Sequence, residues 1–183
     1  MGMAVSIPRY TVDDLDRFPD DGNRYELLDG VLLVTPAPSA AHQIVASRIH
    51  VRLAVAVQNP GYAYVTGPGA VVVPPLTQLQ PDILVYPARF GPRTDWAKVT
   101  EHWLAVEVLS LSSRVYDRDV KRGAYFALGV PELWLVDWRA RNVEVWRPGR
   151  AAEEVRDVIR WRVAALDLVV SIDLGEVFEG LDG

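Results

Sequence analysis

Cysteine is absent from the 183-residue chain. Disulfides, thiol nucleophiles and cysteine metal sites are therefore excluded, and the absence fits a cytoplasmic protein. No apolar run reaches the roughly 18 residues of a spanning helix, so no membrane segment is expected. The opening residues, MGMAVSIPRY, lack a charged start followed by a long apolar region, and no signal peptide is expected. Met1-Gly2 is only a faint trace of a myristoylation pattern. A positive balance is missing as well. The formal net charge is −5, which excludes a strongly basic nucleic-acid coat and leaves any such contact to a local patch. Lysine is nearly absent: of 19 basic residues only Lys98 and Lys121 are lysine. Where positive charge alone is needed this chain uses arginine, so each lysine stands out. No repeat, low-complexity segment or interdomain linker interrupts the chain, and residues 1–183 are expected to form one domain with a sizeable core.

What is present is ordinary globular material, 50% hydrophobic and 23% charged. TVDDLDR (11–17) reads as a short helix, with Thr11 as N-cap and Asp14 three residues on. RYELLDGVLLVTPAP (24–38) reads as a hairpin around Asp29-Gly30, a dipeptide suited to a type I′ turn. Ser39 can cap a helix over about 39–58, in which Val45, Ile49, Leu53 and Val57 form an apolar stripe. Asn59-Pro60-Gly61 ends it. Strands are expected at 62–66 and 70–74 around Gly67-Pro68-Gly69. Another is expected at 82–86, where Pro81 permits only an edge or a strand start. Residues 87–101 read as a polar loop. A strand at 103–109 is followed by a serine-rich turn and a helix over about 116–128. The core face of that helix is expected to carry Val120, Ala124, Ala127 and Leu128, with Gly129 as its cap. Strands at 132–137, 142–148, 155–161 and 168–171 and a short terminal helix complete the chain. The order points to an α/β or α+β sheet with helices packed on it and an N-terminal hairpin.

The strand WLAVEVLSL (103–111) raises the question of function. It has no polar alternation, so it reads as buried on both faces, yet Glu107 stands in the middle. A buried carboxylate is costly unless it is paired, hydrogen-bonded or bound to a metal. Asp82 opens a neighbouring strand, and Lys121 lies on the following helix. Two carboxylates on adjacent strands can hold a hard divalent cation, Mg²⁺ or Mn²⁺, and the carbonyl of Val108 could add a third protein ligand. A lysine beside them could orient or deprotonate a water, or stabilise phosphoryl charge. Together these are parts for metal-assisted phosphodiester hydrolysis.

Four segments resemble the Uma2 family, restriction-endonuclease-like proteins of the PD-(D/E)XK nuclease superfamily. They are YELLDGVLLVTPAPSAAHQIV (25–45), QPDILVY (80–86), LAVEVLSLSSRVYDRDVKRGAYFALGVPELWLVD (104–137) and VEVWRP (143–148). The resemblance spans about residues 8–178. It implies a restriction-endonuclease-like mixed sheet flanked by helices, a Mg²⁺-dependent nuclease, nucleic acid (DNA first) as substrate, and a homodimer. Pro81-Asp82 matches the "PD" of the superfamily and Glu107 its first acidic residue. A strict E-x-K would put lysine at position 109, where this chain has Leu109. In proteins resembling Uma2 the lysine stands on the next helix, which matches Lys121. Glu26, in "YEL", matches an additional acidic position.

Each residue also has a plainer reading. Glu107 can pair with Arg114 or Arg122. Asp82 can make a local backbone hydrogen bond at a strand start, and Lys121 can pair with Asp117 one turn away, although the stripe of residues 117, 121 and 125 could equally point Lys121 and Tyr125 at the site. Glu26 can be a solvent-side cross-strand partner. His42 can be a capping or surface position rather than a phosphate ligand. Ser110, Ser112 and Ser113 read as a turn, and no Ser–His arrangement suggests a nucleophilic triad. Trp134, Trp138, Trp146 and Trp161 read mostly as core or interface. Two functional alternatives to the nuclease remain: a non-catalytic homodimer that keeps the fold, and a hydrolase of small phosphate esters.

Overall fold

The run that contains Glu107 is a strand, and all five of its residues from Leu104 to Val108 are buried. The computed structural model describes residues 8–110 and 120–181. Its strands are β1 (Arg24–Leu28), β2 (Val31–Thr35), β3 (Ala63–Thr66), β4 (Val71–Val73), β5 (Thr77–Leu79), β6 (Ile83–Pro87), β7 (Leu104–Val108), β8 (Leu133–Asp137), β9 (Asn142–Trp146), β10 (Glu153–Val155), β11 (Val158–Val163) and β12 (Leu168–Asp173). Its helices are α1 (Ala40–Leu53), α2 (Arg122–Ala127) and α3 (Leu174–Val177).

A six-stranded sheet in the order β10-β9-β8-β7-β6-β3 forms the centre. Only β7 and β8 run parallel; the other neighbours are antiparallel. Alternate residues of β7 point to opposite faces. Leu104, Val106 and Val108 enter one apolar cluster with Val45, Ile49 and Leu53 of α1, Trp134 and Trp161. Ala105 and Leu109 enter a second cluster with Tyr125 of α2. Glu107 is therefore aimed at the second face, under α2. A smaller sheet, β2-β1-β5-β4, and a β11–β12 pair complete the fold.

Most elements follow from local chemistry. The β1–β2 register closes on Leu28 opposite Val31, and Asp29 and Gly30 take φ of 49° and 78°, as a type I′ turn requires. The Thr11–Asp14 capping box is present, on a 3₁₀ turn over Val12–Arg17. Ser39 caps α1, and Val45, Ile49, Leu53 and Val57 are all fully buried. The last turn of that helix, Ala54–Gln58, is a π-helix. Trp134 and Trp161 meet edge-to-face in the core, and Trp138 and Trp146 are half-buried.

Three expectations need correction. Strands β3 and β4 flank the Gly67–Gly69 turn but belong to different sheets, because β4 pairs with β5. Strands β5 and β10 are additional; each has three residues, too few to show a periodicity. The buried face of α2 is not the one that apolar residues suggest. Val120 is 40% exposed and Ala127 is exposed, whereas Lys121 and Tyr125 are buried. Polar partners beneath the helix turn it, as described below. The part of this helix expected at 116–119 lies outside the described residues.

His102, just before β7, is 5% exposed, and neither ring nitrogen has a hydrogen-bond partner among the described residues. Burial pushes its pKa down from 6.5 to about 4, against a small opposing pull from Glu101. The unfolded chain thus takes up a proton that the folded chain refuses. Stability is intact above pH 6.5 and declines as pH falls towards 4, by up to roughly 3 kcal/mol. His102→Leu is expected to flatten this slope, read as urea midpoints at about pH 7 and about pH 4.5. An equal acid loss in wild type and variant would assign the effect to another group.

Candidate active site

Two buried clusters of charge meet where β6 begins and β7 ends. The β6–β7 register pairs Ile83 with Val106, so its continuation sets Asp82 opposite Glu107. Ala105 and Leu109 donate their N–H groups to Glu132 and Val136 on the β8 side. Val108 therefore faces the other edge, where its N–H donates to Asp82 Oδ2 at 2.8 Å and its carbonyl leaves on the same side. Arg24 Nη2 lies 2.7 Å from Asp82 Oδ1 and His42 Nε2 lies 3.0 Å from Asp82 Oδ2.

The second cluster centres on Lys121, which is 3% exposed. Its Nζ is 2.7 Å from Glu26 Oε2 and 3.3 Å from Glu107 Oε1. The Glu26 contact is a close ion pair set off the ideal hydrogen-bond angle. Tyr125 lies one turn after Lys121, so both reach the same target; its hydroxyl donates to Glu107 Oε1 at 2.7 Å. Arg24 and Glu26 are two residues apart on β1 and share a face. Gln80 anchors both: its N–H donates to Glu26 Oε1 and its carbonyl accepts from Arg24 Nη1. Asp82, Glu107, Val108, Lys121, Arg24 and His42 all line one cleft of about 180 Å³.

Three carboxylates (Glu26, Asp82, Glu107) and two cations (Arg24, Lys121) leave one net negative charge among these groups. Burial raises the Asp82 pKa, but the His42 hydrogen bond and the Arg24 charge outweigh it and hold the carboxyl at about 2. Its stabilising contribution is present above pH 3.8 and is lost only as pH falls towards 2. Burial and the nearby carboxylates hold the Tyr125 phenol well above its ordinary range, so it is a fixed donor. Burial opposes the Arg24 charge, yet Asp82 and Glu107 more than restore it.

These neighbours decide several plain readings. Arg24 pairs with Asp82, and Arg122 lies over the Trp146 ring at 4.1 Å. Arg114, Asp117, Ser112 and Ser113 lie outside the described residues. Glu26 is 0% exposed, so it is not on the solvent side of the hairpin. His42 is buried, and its backbone N–H is capped by Ser39 Oγ at 3.3 Å while its ring faces Asp82. His42 is thus both a capped first-turn residue and a partner of Asp82.

Residues 12–180 match the family model Uma2, described as "Putative restriction endonuclease". The chain belongs to the Uma2 family. A solved structure similar to this Uma2 chain is that of "a putative nuclease belonging to DUF820" from Anabaena variabilis. The TM-score is 0.69 at 19% identity, over 92% of this chain and 97% of that one. At that identity the similarity establishes the mixed α/β fold. No protein of curated function matches. Among the described residues no helix is long and apolar enough to cross a membrane.

Does this Uma2 cleft suit a divalent cation? Asp82 and Glu107 line it together with the backbone of Val108, a set of hard oxygen donors. Against a complete protein cage, both Asp82 oxygens already have partners. Among the described residues no group of three His, Cys, Asp or Glu side chains could hold an ion. Mg²⁺ commonly binds through one or two carboxylates and keeps several waters. The residues fit that mode, with the cation competing against Arg24 for Asp82.

Sequence reasoning missed Arg24 altogether and left Tyr125 as a side possibility. The signal for Arg24 was its i, i+2 relation to Glu26; for Tyr125 it was its i, i+4 relation to Lys121.

Proposed function

We propose that this Uma2 protein is a nuclease that hydrolyses phosphodiester bonds with a divalent cation at Asp82, Glu107 and the Val108 carbonyl. One observation carries the reading. A lysine, one of only two in the chain, is buried between carboxylates from β1 and β7 at the wall of an open cleft. Burying so many ionised groups costs several kcal/mol per ion before pairing, and arrangements of this kind concentrate at functional sites.

In the proposed reaction a water oxygen adds to phosphorus, the bond from phosphorus to the leaving oxygen breaks, and a phosphomonoester and an alcohol result. A bound divalent cation would supply Lewis-acid polarisation of a phosphoryl oxygen. Lys121 neutralises charge growing on the phosphoryl group, held in place by Glu26. Arg24 is the phosphate clamp, because a guanidinium released from Asp82 is already aimed into the cleft. Tyr125 fixes the Glu107 carboxylate. His42 presents a donor to Asp82 through Nε2 and so helps to hold that carboxylate in place.

The test is a cleavage assay over single- and double-stranded DNA and RNA with Mg²⁺ or Mn²⁺, with Asp82→Asn purified in parallel. Product from wild type and none from the variant is the expected result. Equal product from both would assign the activity to a contaminant. A second reading is a binding protein that retains the fold without catalysis. It is favoured by the full occupancy of Asp82, and it requires that no substrate be cut under any of these conditions.

A further inference from the structure

Arg24 and Asp82 are shared by two clefts. Besides the one described, they line a neighbouring cleft of about 320 Å³ that also includes Gln43, Ser47 and His50. The wall common to both is α1. Ser39 and His42 lie in the first cleft, and Gln43, Ser47 and His50 continue along the helix into the second. From position 39 to position 50 the helix rises roughly 16 Å.

The two linings differ in chemistry. The first cleft holds the site's carboxylates, arginine and lysine. The second has no charged side chain beyond the Arg24–Asp82 pair at its mouth. Its other polar groups are an amide, a hydroxyl and an imidazole, and burial holds the His50 pKa below 6.5, leaving the ring neutral at neutral pH. Gly67 and Pro68 also line it. A β-carbon at Gly67 would come within 2.9 Å of the Asp82 carbonyl oxygen and 3.2 Å of His50 Nδ1. The missing side chain is what lets this loop lie against the imidazole beside the cleft.

A cleft lined by neutral hydrogen-bonding groups, with a guanidinium among its lining, suits a ligand with an anionic end and a polar body rich in hydrogen-bonding groups. We infer that the second cleft is a nucleoside subsite that takes one unpaired base beside the phosphate held at Arg24, so that single-stranded nucleic acid is the preferred substrate class. Glutamine can bond the edge of a base, and an imidazole can stack on its face. The base must leave a duplex to enter. The first cleft's role as phosphate site is taken from the hydrolytic reading above; the second cleft's chemistry stands apart from it.

The test is fluorescence anisotropy of a short fluorescein-labelled DNA, single-stranded or annealed, in EDTA so that no strand is cut. Wild type is compared with Gln43→Ala plus His50→Ala; Gln43 is exposed and His50 half-buried, and circular dichroism checks the fold. The single strand is expected to bind at least about tenfold more tightly than the duplex, and the double variant to lose that advantage, as one base contact would allow. Deoxyadenosine monophosphate is expected to compete, and ribose 5-phosphate is not. Equal binding of both strand forms, an unchanged double variant, or equal competition by ribose 5-phosphate would each overturn the subsite. Cleavage without strand preference would leave the hydrolytic reading standing and remove this one. Strand-selective binding without cleavage would do the reverse.

Discussion

Glutamine at position 107 is expected to lower phosphodiester cleavage by about 10³-fold with the fold intact. The change keeps the side-chain volume in a site that is 3% exposed. Its amide oxygen still accepts from the Tyr125 hydroxyl, which reaches Glu107 Oε1 at 2.7 Å. What is lost is the charge. A neutral amide brings no charge to offset that of the cation, as the carboxylate does, and the Lys121 ammonium is left to Glu26 alone among these two acids. Initial rates beside a thermal melt check this. A rate within about threefold of wild type, with an unchanged melt, would remove Glu107 from the reaction.

Lys121→Met is the substitution with the largest expected effect on stability. The lysine lies between Glu26, at 0% exposure, and Glu107, at 3%. Methionine fills much of the same volume but leaves the two carboxylates facing each other without this ammonium. Breaking a buried pair from one side costs about 3–5 kcal/mol, because the remaining charge stays buried. Glu26→Gln added to the same chain is expected to recover part of that loss, since it removes one of the opposed charges while keeping an acceptor for the Gln80 N–H. Urea unfolding at neutral pH of the three variants and wild type gives the cycle. A Lys121→Met chain as stable as wild type, or a double variant no better than the single, would mean that the ammonium is not the local counter-charge.

How far the site can be read from sequence depends on whether a residue contradicts its surroundings. Glu107 breaks an apolar strand, and that contradiction alone singles it out before any fold is known. Asp82 stands after a proline at a strand start, and Lys121 is one of two lysines in the chain. Arg24 contradicts nothing, since an arginine at the start of a hairpin strand is ordinary; only the packing of β1 against the start of β6 turns it inward. His42 has a complete local explanation as a capped first-turn residue, which hides its second contact with Asp82. The face of α2 is misread for a related reason. Apolar periodicity assigns Val120 and Ala127 to the core, but hydrogen bonds to Glu107 outweigh it and bury Lys121 and Tyr125. The β1–β2 hairpin and α1 are legible because Asp29-Gly30 and the Ser39 cap act locally. The sheet order is not, because β4 and β5 are three-residue strands, too short to show a periodicity, that pair with each other and with β1 rather than with the main sheet.

The central claim is that the Asp82–Glu107 pair holds a divalent cation. Isothermal titration of Mg²⁺ and Mn²⁺ into wild type and into Asp82→Ala plus Glu107→Ala tests it most directly. Arg24 competes for Asp82 in the free protein, so each titration is repeated with an uncleavable phosphorothioate oligonucleotide, whose backbone gives the guanidinium another partner. Saturable binding by wild type, tighter with the oligonucleotide present, and none by the double variant is the expected result. No saturable binding by folded wild type under either condition, or equal binding by the double variant, would contradict it.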